Sequence, residues 1–163
     1  MNDNRSPRTR LPALLLGAAL LLAGCETMAE GRPAPPVTGG TWMQAKGDPS
    51  ADMKGRWTLL VMFRPSSPQC ASGMPDVLAL QKEFAPKGLL VLGVSPADAE
   101  DTAPFLKDNG VGFPVMANGR HVVDAYGIPE IGENHVYLLD PPGVVVVQDD
   151  LAKSREILAK YLK

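Results

Sequence analysis

At 163 residues the chain has room for one domain and short extras, and 45% hydrophobic residues are enough for a packed core. The formal net charge is −2 and no basic run interrupts the sequence, which excludes a nucleic-acid interface built on a positive patch. Sixteen prolines and sixteen glycines gather in a short stretch after residue 30 and in turns, which argues for tight connections rather than disorder throughout.

The amino terminus reads as an address. Arg5, Arg8 and Arg10 precede an apolar stretch over residues 11–22, too short for a comfortable membrane-spanning helix. Positive charges before it and the small residues Ala23 and Gly24 after it mark residues 1–24 as a signal peptide. Leu22-Ala23-Gly24-Cys25 resembles the lipobox of bacterial lipoproteins. That resemblance implies lipid on the Cys25 thiol and a domain exported and tethered to a bacterial membrane, facing the periplasm. With Cys25 so consumed, Cys70 has no partner in the chain and a disulfide-scaffold reading fails. Pro33, Pro35 and Pro36 make residues 25–40 an expected Pro/Gly-rich tether, extended and semi-rigid, ahead of a single domain over 41–163.

Residues 57–63 are a continuous apolar run of strand length, suited to burial on both faces. A loop over 64–70 leads into a helix reaching about residue 84, and residues 89–94 form a second buried strand. Residues 98–108 read as a helix with Ala103, Phe105 and Leu106 as its apolar positions, and 113–116 as a short extended segment. A short helix over 121–126 stops at Gly127, and 136–140 with 144–148 form a hairpin around Pro141-Pro142-Gly143. Residues 151–162 form an amphipathic helix with Leu151, Ile157, Leu158 and Tyr161 near one face. Trp42 and Trp57 read as packing residues, Asp149-Asp150 as a solvated cap of the last helix, and His121 carries no signal. This order argues for an α/β sandwich with a mixed sheet. Ligands meet such sheets at the carboxyl ends of strands, which directs attention to the loop over 64–70.

The stretch from Phe63 to Pro75, Phe-Arg-Pro-Ser-Ser-Pro-Gln-Cys-Ala-Ser-Gly-Met-Pro, resembles the TlpA-like thioredoxin pattern Phe-Trp-Ala-x-Trp-Cys-x-x-Cys-x-x-Glu-Met-Pro. Runs 91–95, 112–115, 124–128 and 136–143 are similar to those of TlpA-like proteins and peroxiredoxins. The resemblance covers roughly residues 41–160 and implies an α/β, thioredoxin-like (redoxin) fold: one domain, a mixed central β-sheet, flanking helices. Anchored on Met74-Pro75, Cys70 takes the place of the second cysteine and Ser67 that of the first. A serine hydroxyl is neither a thiolate nor able to form a disulfide, so dithiol exchange within this chain is ruled out. Asn134 stands where the family carries a cis-proline; Pro129 serves only if the loop between is lengthened. Ser67-Pro68-Gln69-Cys70 also fits the Ser/Thr-x-x-Cys motif of peroxiredoxins, whose upstream proline is spaced differently from Pro65.

Ser67 at the N-cap and Pro68 at the first helical position make a good helix start. Cys70 then sits in the first turn, where unpaired amides and the macrodipole favour a thiolate. The Ser67 hydroxyl reaches either the Cys70 amide or its sulfur, and Arg64 adds positive charge if its side chain turns inward. Pro75 is expected to kink the helix shortly after. The catalytic candidates are therefore Cys70, Ser67 and Arg64, with Pro65, Pro68, Asn134 and His135 as candidates for contact with substrate. Two readings of Cys70 stand side by side. In one it is a single redox thiol, serving thiol-disulfide exchange with a protein partner or reduction of a small peroxide. In the other it is an inert buried hydrophobe in a non-catalytic binding or assembly module. The first requires a sulfur open to solvent. A copper site from Cys70, His135 and Met62 or Met74 is the weaker idea, since those methionines suit a core; no cofactor or metal is expected.

Overall fold

A computed structural model describes residues 30–163; the expected signal peptide and the expected lipidation at Cys25 lie outside the described residues. Six strands alternate with four helices: β1 (Thr41–Met43), β2 (Thr58–Met62), α1 (Pro68–Phe84), β3 (Leu90–Val94), α2 (Ala99–Asp108), β4 (Val115–Ala117), α3 (Arg120–Ala125), β5 (His135–Leu139), β6 (Val145–Gln148) and α4 (Leu151–Tyr161). The strands form one mixed sheet in the order β1-β4-β3-β2-β5-β6. The pairs β2–β3 and β3–β4 are parallel, while β1–β4, β2–β5 and β5–β6 are antiparallel.

The unbroken apolar run around residue 60 explains the centre of the sheet. All five residues of β2 are buried, because a strand with no polar alternation has no face to give to water. Beside it, Gly93 of β3 leaves room for its neighbours: a Cβ there would lie 2.8 Å from Val115 and 3.2 Å from the Phe63 ring. Phe63 stacks on Phe105 of α2 at 4.8 Å, so the missing side chain is replaced by aromatic packing. On β5, Tyr137 meets Tyr126 edge-on at 4.9 Å, just past α3. Trp57 and Tyr161 contact each other at 5.2 Å at the far end of the sheet.

Each long helix begins on a side-chain cap. The oxygens of Ser67, Asp98 and Asp150 accept backbone N–H groups of Cys70, Asp101 and Lys153. Helix α1 continues through Pro75 to Phe84, and its buried residues Cys70, Met74, Val77, Leu80 and Phe84 recur at helical spacing along one stripe.

Two features differ from the sequence reading. Strand β1 was absent from it, because three residues behind Gly39-Gly40 carry too little pattern to stand out. The proline-rich stretch is extended as expected but is no free spacer. Gly31 and Ala34 donate backbone hydrogen bonds to Val145 and Gly143, and Val145 donates to Arg32. Val37 is 2% exposed within the core, and the Tyr126 hydroxyl donates to the Pro35 carbonyl at 3.1 Å. The edge of β6 offered unpaired backbone groups, and this segment covers them. Among the described residues no helix is long and apolar enough to cross a membrane.

Replacing Val37 with Ala is expected to lower the free energy of unfolding by about 2 kcal/mol, through lost burial and the cavity left behind. Urea titration checks this; a free tether would show no change.

Candidate functional site

Strand β2 delivers the chain to the site at its carboxyl end, where the Phe63 N–H still bonds the Val94 carbonyl. The backbone then folds over: Ser67 N–H donates to the Arg64 carbonyl at 3.0 Å, closing a turn that ends at the start of α1. Ser67 has extended backbone angles, as an N-cap does, and Pro68 follows at the first helical position.

The Ser67 hydroxyl, 3% exposed, uses both of its capacities. It accepts the Cys70 N–H at 3.2 Å and donates to the Gly132 carbonyl at 2.5 Å. Of the two partners open to it on sequence grounds, it takes the amide and not the sulfur. Asn134, just ahead of β5, adds a second tie: its Nδ2 donates to the Cys70 carbonyl at 3.0 Å, while its Oδ1 is buried with no partner among the described residues. The peptides here are trans, and Asn134 rather than a proline precedes β5.

Arg64 serves the sulfur through its backbone. Its N–H donates to Cys70 Sγ at 3.4 Å, whereas guanidinium Nη1 pairs with Glu130 at 3.1 Å. The expected inward-turned charge is thus replaced by a main-chain donor. The structure also answers the question of access that the sequence left open. Cys70 is 0% exposed, so the solvent-open thiol that a reactive site requires is not present in this conformation. The reason is helical geometry: Cys70 is the first member of the α1 core stripe, four residues before Met74, and the 64–67 turn lies over it.

That turn forms a ridge between two clefts. One, of about 830 Å³, runs toward α2 and is lined by Pro65, Pro68, Ala71, Pro96, Pro104 and Phe105 among others. The other, of about 500 Å³, is lined by Arg64, Ser67, Gln69, Glu130, Gly132 and His135 among others. The structure therefore gathers Arg64, Pro65, Ser67, Pro68 and His135 around one ridge, with Cys70 beneath it and Asn134 behind it. Glu130, Gly132 and Asp149 were missed. Glu130 and Gly132 sit in a loop with no motif of its own, and Asp149 looked like part of a cap. Only Asp150 caps α4; Asp149, at φ 52°, turns back to accept the Val136 N–H at 2.9 Å and to pair with His135 Nδ1 at 3.1 Å.

The pairing occupies the imidazole of His135, one of the candidates for contact with substrate. Its hydrogen bond to Asp149 holds His135 above the ordinary histidine range, against burial, with Glu133 adding to the effect. Burial pushes the Asp149 carboxyl up, but hydrogen bonds from His135 and Val136 outweigh it and leave it below the usual range. Met62 and Met74 are both fully buried in the core, and among the described residues no group of three His, Cys, Asp or Glu side chains is placed to hold a metal ion.

The model of the AhpC/TSA family matches residues 31–148. The chain belongs to the AhpC/TSA family. This redoxin is 32% identical over 118 residues to a candidate peroxiredoxin of Mycobacterium tuberculosis, covering 68% of this chain and 71% of the relative. It is 31% identical over 105 residues to the peroxiredoxin Bcp of Xanthomonas campestris pv. campestris, covering 56% and 65% respectively. Among solved structures it is similar to the thioredoxin domain of a thiol-disulfide oxidoreductase from Bacteroides vulgatus, with TM-score 0.68 and 22% identity over 83% of this chain and 99% of that one. A cysteine-to-serine mutant of peroxiredoxin 6 from Arenicola marina gives TM-score 0.64 and 14% identity over 82% and 73%. The fold is thioredoxin-like, a single domain with a mixed six-stranded sheet flanked by helices, as the motif order implied.

Two outcomes are expected. Ser67→Ala removes a helix cap and a tie to Gly132, and should cost about 1–2 kcal/mol in urea unfolding. The His135–Asp149 pair gives a pH signature. A raised His135 value stabilises fully below 6.5 and loses that effect as pH climbs through the folded value. A depressed Asp149 value stabilises above 3.8 and loses it as pH falls through the folded value. The stability difference between the wild type and His135→Gln should therefore peak between 3.8 and 6.5 and shrink above neutrality. A pH-independent difference contradicts the pairing.

Proposed function

We propose that this AhpC/TSA chain is a single-cysteine thiol redox protein, acting through Cys70 and held outside the cytoplasm by lipid on Cys25. The observation that carries the redox part is local. In a family of thiol proteins, the one cysteine among the described residues stands in the first turn of α1 with a backbone N–H aimed at its sulfur. The amino-terminal pattern of Arg5, Arg8 and Arg10, the apolar run and Ala23-Gly24-Cys25 supports export and anchoring.

In the peroxide reaction the Cys70 sulfur attacks the nearer peroxide oxygen. An S–O bond forms, the O–O bond breaks, and the departing oxygen takes a proton to leave as water or an alcohol. Sulfur is oxidised by two electrons to the sulfenic acid and the peroxide is reduced by two. An external thiol then displaces water to give a mixed disulfide, and a second thiol attacks the reductant's sulfur in it, so that Cys70 returns as the free thiol and the two reductants leave joined as a disulfide. No second cysteine of this domain enters, since Ser67 occupies the other position of the motif. Because Cys70 is fully buried, the step requires the 64–67 turn to move first, so its rate is set by that opening.

A second reading rests on the same burial: Cys70 as the first core residue of α1, in a domain that binds or assembles without catalysis. Dimedone trapping after mild peroxide treatment of the native full chain, with the adduct located by mass spectrometry, separates the two. The redox reading predicts an adduct on Cys70 without denaturant. An adduct formed only on unfolded protein overturns the peroxide reaction, and if small disulfides also form no mixed disulfide with native Cys70, the second reading takes its place.

A further inference from the structure

Gly73 is out of place on local grounds. It lies inside α1 with ordinary helical backbone, where glycine is the least favourable residue after proline. The structure supplies the reason: a Cβ at this position would stand 3.0 Å from Asn134 Nδ2, tighter than an ordinary carbon contact. The absent side chain lets Asn134 lie against the helix and reach the Cys70 carbonyl at 3.0 Å.

One hydrogen bond from Asn134 therefore ties the first turn of α1 to the loop ahead of β5. It also acts on the turn that bears the sulfur, through the loop that Ser67 grips one side away at Gly132.

We propose that Asn134, seated against Gly73, is a latch that sets how often Cys70 becomes reachable. Asn134 is a positioning residue: it touches the Cys70 backbone and acts on the sulfur through it. This deepens the redox reading and rests on it, because a latch matters only if Cys70 reacts from a locally opened state. The loop carrying the latch also bears Glu130, which pairs with Arg64, the residue whose N–H reaches the sulfur. One loop therefore holds both ends of the segment that covers Cys70.

The test measures iodoacetamide alkylation of Cys70 in the native full chain, read by mass spectrometry, beside urea unfolding of each variant. Asn134→Ala should raise the alkylation rate about three- to tenfold, the loss expected for one hydrogen bond. Gly73→Ala, by shifting Asn134 Nδ2 a few tenths of an ångström, should raise it in the parent, but in the Asn134→Ala background, where nothing remains to displace and alanine only favours the helix, it should not raise it further. That non-additivity is a signature that general loss of stability does not produce. Ser154→Ala, which removes a buried hydroxyl of α4 that donates to the Asp150 carbonyl at 2.7 Å, serves as the control and should leave the rate unchanged. Cys70 alkylated well below unfolding but indifferent to Asn134, or additive effects at 73 and 134, overturns the latch and leaves the redox reading intact. Alkylation that tracks global unfolding in the parent and every variant overturns both.

Discussion

One hydroxyl group organises this site. Ser67 accepts the Cys70 N–H, which starts α1, and donates to the Gly132 carbonyl, which fixes the loop ahead of β5. Both capacities of a buried polar group are spent, so removing it would leave an unmet donor on one side and an unmet acceptor on the other. The same two bonds decide which way Cys70 faces. With the first turn pinned at Ser67, Cys70 falls on the line of Met74, Val77, Leu80 and Phe84, and its sulfur points into the core rather than into either cleft.

The buried sulfur and the family assignment pull in opposite directions, and local motion reconciles them. Around Cys70, the 64–67 turn and the first turn of α1 are tied to the 130–134 loop by three polar contacts: Ser67 to Gly132, Arg64 to Glu130, and Asn134 to Cys70. The Arg64–Glu130 pair is exposed and contributes little, since such pairs are worth well under the energy of a buried contact. By contrast β2, at the centre of the sheet, has no exposed residue along its length. Opening is therefore cheapest where the sulfur is covered, and it leaves the sheet intact.

The fold was legible because its signals are strong and local. The apolar run that became β2 suits a strand with both faces covered, and Ser67-Pro68, Asp98 and Asp150 announced helix starts by chemistry that does not depend on tertiary context. The ridge of the site was legible for the same reason, since it lies within one continuous motif. What escaped was non-local. Asp149 and His135 are fourteen residues apart in sequence and meet only because β5 and β6 pair. Residues 31–37 carry the composition of a linker, and the open edge of β6, the core around Val37 and the Tyr126 hydroxyl make them part of the domain. The burial of Cys70 was one of the two readings the sequence offered, and its helical spacing to Met74 and Val77 is the physical reason the structure shows it buried.

The central claim is that Cys70 is buried in the resting protein and reached by parting of the 64–67 and 130–134 loops while the sheet stays folded. The urea dependence of Cys70 alkylation in the wild-type chain tests it most directly, because that slope reports how much surface the exposing motion uncovers. A shallow slope at low urea, well under that of global unfolding, is the expected result. A slope equal to the global one from the lowest urea upward would mean that the sulfur is seen only when the whole domain unfolds.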